Sequence, residues 1–157
     1  MIKILFVCHG NICRSPMAEF VMKDLVKKKG IEEQFYIASA ATSTEEIGNP
    51  VYPPARRKLA QVGIRTDGKT ARQMTRHDYD KFDFLIGMED VNVRNMLRIT
   101  GGDPDGKISR LLDYTGRPGN IADPWYTGNF DDTYDDVLKG CESLIEYLKK
   151  NHLISCA

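Results

Sequence analysis

The stretch Ile2-Lys3-Ile4-Leu5-Phe6-Val7-Cys8-His9-Gly10-Asn11-Ile12-Cys13-Arg14-Ser15-Pro16 opens the chain and decides how the rest is read. Residues 2–7 form a short run of β-branched and aromatic side chains, the pattern of a strand buried on both faces. Ser15 as N-cap and Pro16 at the first helical position predict a helix start. Ala18, Val21, Met22 and Leu25 then repeat at helical spacing until Lys27, Lys28, Lys29 and Gly30 end the segment. Strand, loop and helix together open a βαβ unit, whose parallel strands receive ligands outside their carboxyl ends. The first strand ends at Cys8.

Working outward, residues 34–40 predict a second strand, 82–88 a third and 107–111 a fourth. Residues 54–62 predict a helix ended by Gly63, and residues 90–99 another. The last helix is the clearest, with Asp131 or Asp132 as its cap. Tyr134, Val137, Leu138, Cys141, Leu144, Ile145 and Leu148 form one apolar stripe, so Cys141 reads as a core thiol. The expected fold is α/β: a single-domain three-layer sandwich over residues 1–157, with a parallel sheet of four strands and helices on both faces. Residues 101–106 and 115–120 read as loops, and the second leads directly into Asp123.

Composition is consistent with this. The 157 residues are 41% hydrophobic and 28% charged, an ordinary globular balance that excludes a disordered, collagen-like or membrane-spanning chain. The 22 basic and 22 acidic side chains cancel, so no global field recruits nucleic acid or a membrane. The charges are unevenly placed: residues 1–78 carry 13 Lys/Arg against 8 Asp/Glu, and residues 79–157 carry 9 against 14. The first half is therefore the expected home of an anionic ligand. Four cysteines are too few for a disulfide framework and lack zinc-ligand spacing with His9, His77 or His152. Reduced thiols and the lack of an export signal point to a cytoplasmic protein. Cys156, second from the end, is no prenylation signal.

The loop after the first strand carries the chemistry. Gly10 and Asn11 tolerate left-handed backbone, so the N–H groups from His9 through Gly10, Asn11, Ile12, Cys13, Arg14 and Ser15 can turn inward as an anion cradle at a helix N-terminus. The planar fork of Arg14 can grip two phosphate oxygens, with Cys8 beneath the anion and aimed at phosphorus. The inward N–H groups, the helix dipole, Arg14 and the Ser15 hydroxyl all favour a Cys8 thiolate, so the nucleophile needs no histidine base. An acid for the leaving oxygen is supplied by Asp123 in Asp123-Pro124-Trp125-Tyr126, a carboxyl on a stiffened turn with two aromatic neighbours.

At these residues the chain resembles the low-molecular-weight protein tyrosine phosphatases. The likeness extends through Ser39-Ala40-Ala41-Thr42-Ser43, Gly63-Ile64, Ala71-Arg72-Gln73, Phe82-Asp83, Met88 with Asn92, and Asp123-Pro124. The resemblance implies Cys8 as nucleophile, Arg14 as phosphate clamp, Ser15 as thiolate donor and Asp123 as general acid and then base. It implies Asn11 and Ser39 as groups that hold the loop, and Cys13 as the partner that traps an oxidised Cys8. It also implies a phosphoryl-cysteine intermediate, no metal or other cofactor, and a phosphotyrosine-containing protein or peptide as substrate for a monomer or weak homodimer.

Three departures stand out. Lys69 occupies the place of a family histidine. Glu45 and Glu46 stand where many members put an aromatic wall, leaving Trp125 and Tyr126 beside Glu45 to line the substrate, and His9 follows the nucleophile. Arsenate reductases share the loop but need a further cysteine pair that is missing between Cys13 and Cys141. A non-catalytic phosphopeptide or redox module would have no use for Asp123. No GxxxxGK[ST] or GxGxxG follows the first strand, which argues against a nucleotide-binding protein.

Overall fold

β1 (Ile2–Cys8) lies inside a sheet ordered β2-β1-β3-β4, where β2 is Phe35–Ala41, β3 is Phe84–Gly87 and β4 is Ile108–Arg110. This computed structural model describes residues 1–155, so Cys156 falls outside the described residues. Every strand pairing is parallel. Ile4, Leu5, Phe6 and Val7 are fully buried because β1 has a strand on each side and helices over each face. Ile4, Phe6 and Cys8 face the core shared with α1 (Arg14–Lys28), α2 (Pro53–Gln61) and α6 (Phe130–Lys150). Leu5 and Val7 face the opposite core, with Tyr79 of α3 (Arg76–Lys81) and Met96 of α4 (Asp90–Thr100). This is the expected three-layer α/β sandwich, and the double burial explains why β1 reads as a continuous apolar run.

Register places the site. Cys8 pairs with Ala41, and Val7 aligns with Gly87, which aligns with Arg110, so the strands' carboxyl ends open at one edge of the sheet. β1 connects to a neighbour on one side and β3 adds on the other, so the chain reverses direction across the sheet at Cys8. At Gly87 a Cβ would meet Met96 Sδ at 3.1 Å and Asn92 Cβ at 3.2 Å, and this close approach seats the start of α4 against the crevice.

Helix starts differ from the sequence reading in two places. α1 begins at Arg14 with Cys13 as N-cap, and no side chain caps it. Ser15 is not the cap because its hydroxyl faces Cys8 and Asn11, and Pro16 still falls within the first turn, where no N–H bond is lost. α6 is capped by Asn129, whose Oδ1 accepts from the Asp132 N–H at 3.0 Å, and not by Asp131 or Asp132. α3 and the short α5 (Pro124–Thr127) lacked enough helical periods to be foreseen. Among the described residues no helix is long and apolar enough to cross a membrane.

Candidate active site

The loop between β1 and α1 is built around Asn11, which takes the left-handed conformation with φ 58°. Its side chain offsets that cost with three hydrogen bonds. Nδ2 donates to Ser15 Oγ at 2.8 Å and to Ser39 Oγ at 2.9 Å, and Oδ1 accepts from the Arg72 N–H at 3.2 Å. Gly10, expected to share the left-handed role, does not; its φ is not positive, and a Cβ there would meet Glu46 Cγ at 3.3 Å. The Asn11 N–H donates to Cys8 Sγ at 3.3 Å. The N–H groups of Gly10, Ile12 and Cys13 find no protein acceptor among the described residues, and the first-turn amides of α1 have no intrahelical partner. Together they leave the loop with a set of free donors, the arrangement an anion cradle requires.

Behind the loop, a buried carboxylate absent from the sequence reading fixes where the Ser39 proton goes, and the Asn11 amide, which only donates through its nitrogen, fixes the rest. Glu19 is 5% exposed and accepts from Ser39 Oγ at 2.5 Å and Lys23 Nζ at 2.6 Å. Since a carboxylate only accepts, Ser39 spends its proton on Glu19 and must itself accept from Asn11. Asn11 spends its second amide proton on Ser15, whose own proton is then directed to Cys8 Sγ at 3.0 Å, with Ala40 O an outer alternative at 3.4 Å. Lys69 Nζ donates to Ser39 O at 3.0 Å and lies 3.6 Å from Glu19. Lys69 therefore joins this network. Burial holds its pKa below the ordinary ammonium range, and the Glu19 charge opposes that drop.

Arg14 is 1% exposed and gripped from three sides. Nη1 donates to Ile121 O at 3.0 Å and lies 3.2 Å from Glu89 Oε1, while Nη2 donates to Asp123 Oδ2 at 3.3 Å. The other oxygen of Asp123 caps α5 by accepting from the Trp125 N–H at 3.0 Å. The segment entering Asp123 is tied down at Asn120, whose Oδ1 accepts from the Asp90 N–H at 2.9 Å and Arg110 Nη1 at 3.1 Å. Glu89 and Asn120 were not legible in sequence.

Cys8, the cradle residues Gly10, Ile12 and Cys13, Arg14 and Asp123 line a cavity of about 140 Å³. The loop of residues 42–46 borders the start of the cradle, where the Thr42 and Ser43 N–H groups donate to Cys8 O and His9 O. Here His9 Nε2 meets Glu45 Oε2 at 2.7 Å, and Glu46 Oε2 accepts from Asn49 Nδ2 at 2.6 Å. The other border is aromatic. Trp125 is half exposed and packs on Tyr52 with ring centroids 4.9 Å apart, and Tyr52 packs in turn on Phe130. Tyr52 is a further residue missed in sequence. Tyr126 lines the cavity as expected and is 84% exposed. Cys8 and Cys13 share the cavity, and burial together with the charges of Cys8 and Asp123 pushes the Cys13 thiol up to about 12. Cys141 is a core thiol raised by burial, and Ser39 sits where expected behind Asn11.

Residues 3–153 match the family model described as low molecular weight phosphotyrosine protein phosphatase. The chain is 41% identical over 152 residues to low molecular weight protein-tyrosine-phosphatase YfkJ of Bacillus subtilis, covering 96% of this chain and 97% of that one. The crystal structure of YfkJ superposes with a TM-score of 0.92 over 96% of both chains. The low molecular weight protein tyrosine phosphatase SP-PTP of Streptococcus pyogenes is 41% identical with a TM-score of 0.84, covering 99% of this chain and 95% of that one. PtpA of Staphylococcus aureus, also named as a low molecular weight protein-tyrosine-phosphatase, is 34% identical over 96% of each chain.

Proposed function

The chain belongs to the low molecular weight phosphotyrosine protein phosphatases, and from that membership we propose that it hydrolyses phosphotyrosine in a protein or peptide through a phosphoryl-cysteine. The observation that carries the reading is the alignment of Cys8 Sγ, the unpaired cradle N–H groups and the Arg14 fork around one cavity. The phosphate oxygens take the N–H groups and the Arg14 Nη2 donor now held by Asp123. Cys8 thiolate then attacks phosphorus as the tyrosyl oxygen leaves with a proton from Asp123, giving phosphoryl-cysteine, phenol and an Asp123 carboxylate. In the second half Asp123 takes a proton from water, which attacks phosphorus and releases phosphate and the thiolate. Ser15, aimed by Asn11, Ser39 and Glu19, steadies the sulfur in both steps. Trp125, Tyr126 and Glu45 border the entering residue. The domain spans residues 1–157 and acts in the cytoplasm as a monomer or weak homodimer.

The same geometry supports redox control. Peroxide oxidises Cys8 thiolate to the sulfenic acid, and Cys13 S–H then condenses with it, forming the Cys8–Cys13 disulfide and releasing water. Cys13→Ser should keep phosphatase activity yet lose its recovery by dithiothreitol after peroxide.

The deciding experiment is turnover of a phosphotyrosine peptide by wild type and Cys8→Ser. Wild type should release phosphate, with vanadate inhibiting, while Cys8→Ser binds the peptide and leaves it intact. Full activity in Cys8→Ser would overturn the mechanism.

A further inference from the structure

A doubly negative phosphoryl group must enter past a mouth that is itself negative. The cavity's one guanidinium, Arg14, lies at its base and already faces Glu89 and Asp123. At the rim stand Glu45 and Glu46, and among the described residues no Lys or Arg lines the cavity besides Arg14. Glu46 has no cationic partner within 4.0 Å among those residues; it rests against Gly10 of the cradle and accepts only from the neutral Asn49 amide. Its charge also reaches Cys13, whose thiol it helps to raise. Glu45 touches His9, the residue directly after the nucleophile.

A rim of this kind repels a phosphate that arrives alone and attracts one whose carrier brings a cation. The division of the mouth suits such a carrier. Trp125 comes from the segment that carries Asp123 and is backed by Tyr52, whose N–H donates to the Ile12 carbonyl in the middle of the cradle at 2.8 Å. Glu45 and Glu46 border its start. A phosphotyrosine ring against the tryptophan therefore leaves the neighbouring peptide residues beside the two carboxylates. Successive Cα atoms are about 3.8 Å apart, so a long side chain one or two positions away spans the rim easily.

Resting on the phosphotyrosine reading above, we infer that Glu45 and Glu46 make this phosphatase select phosphotyrosine flanked by Lys or Arg. The competing role is a purely structural one, in which Glu46 braces the loop through Asn49. Glutamine at both positions removes the charge and keeps a side-chain oxygen for Asn49.

The experiment compares kcat/KM on one phosphotyrosine peptide scaffold carrying Lys, Ala or Glu on both sides of the phosphorylated residue. Exposed ion pairs are weak and screened, so wild type should favour the Lys over the Glu peptide by about five- to tenfold at low salt, and by less as salt rises. Glu45→Gln with Glu46→Gln should bring that ratio close to one. Glu33→Gln, a remote exposed carboxylate, should leave the ratio where it was. Equal rates on all three peptides in wild type, or an unchanged ratio in the double variant, overturn this inference and leave the phosphatase reading standing. No turnover of any of the three peptides, or faster hydrolysis of phosphoarginine than of all of them, overturns the phosphotyrosine premise itself.

Discussion

Cys13 and Tyr126 border one cavity, the first 4% exposed and the second 84%, and the contrast extends to the segments that carry them. From Asn11 to Glu19 every residue is buried, and hydrogen bonds run outward from the Asn11 amide to Ser15 on one side and through Ser39 to Glu19 on the other. From Trp125 to Asn129 every residue is exposed. The loop is thus held by its own bonds, and on the proposed mechanism this avoids reorganisation at the moment of reaction. The acid segment carries its carboxyl on one short helix capped by that same carboxyl, so it can adapt to different leaving groups. On the proposed mechanism, the unvarying chemistry sits in the buried part, and contact with substrate sits in the exposed part.

The largest expected effect attacks the point where the two parts meet. Arg14→Lys keeps the charge but cannot span Ile121 O, Glu89 and a phosphate together. Activity should fall by about 10³ or more on every substrate, measured as kcat/KM across leaving groups. A loss of only a few-fold would mean that the cradle N–H groups hold the phosphate without the fork.

Asp123→Asn comes next and separates the parts. General acid catalysis contributes about 10² or more, so phosphotyrosine hydrolysis should slow by that factor while an aryl phosphate with a strongly acidic phenol slows much less. Equal losses on both would make Asp123 a cap for α5 and an anchor for Arg14, with no proton to give.

The contrast also explains what the sequence discloses. Cys8 through Ser15 are consecutive, so their order alone displays a nucleophile, a cradle and a fork. β1 was equally plain because burial on both faces leaves a run with no polar residue after Lys3. Glu19 was hidden because, four residues before Lys23, it looks like half of an ordinary solvated helix pair; only the approach of Ser39 makes it a buried acceptor. Glu89 and Asn120 were hidden for a different reason. Their partners, Arg14 at the start of α1, Asp90 at the start of α4 and Arg110 at the end of β4, are remote in sequence or adjacent only once the parallel sheet has formed. Ser15 was given two tasks, cap of α1 and donor to Cys8, because a serine before a proline has the same sequence appearance for both; its hydroxyl faces the thiol and Cys13 takes the cap position.

The buried network gives a third, smaller test. Glu19→Gln replaces a pure acceptor with a group that also donates, so the Ser39 hydroxyl is no longer obliged to give its proton to residue 19, and its hold on the Asn11 amide that donates to Ser39 and Ser15 weakens. Loss of one charge-assisted bond is worth about 1.5 kcal/mol, roughly tenfold in activity. Alkylation of Cys8 by iodoacetamide at fixed pH should slow by a similar factor, because Asn11 then holds the Ser15 hydroxyl less firmly toward sulfur. Lys69→Met should move both readings the same way to a lesser degree, since Lys23 still faces Glu19. Unchanged alkylation alongside lowered activity would place the effect of Glu19 somewhere other than the sulfur.

The smallest expected effect lies at the tether of the loose part. Asn120 Oδ1 joins the start of α4 to Arg110 at the end of β4, and the next residue, Ile121, donates its N–H to Met88 O at 2.9 Å and offers its carbonyl to Arg14. Asp123 therefore swings from a fixed point two residues away. Asn120→Ala removes the side-chain knot but leaves the Ile121 backbone bonds, so the carboxyl loses placement and keeps its attachment. The expected cost is about three- to tenfold on phosphotyrosine, in line with one or two partly exposed hydrogen bonds. The diagnostic is which substrates suffer. A misplaced acid slows poor leaving groups most, whereas general loosening of the fold slows all substrates alike and lowers the unfolding temperature. If Asn120→Ala reduces kcat/KM equally for phosphotyrosine and for an aryl phosphate with an acidic phenol, the tether stabilises the loop without aiming Asp123. The line between a fixed cradle and an adjustable acid would then lie at Arg14 and Ile121.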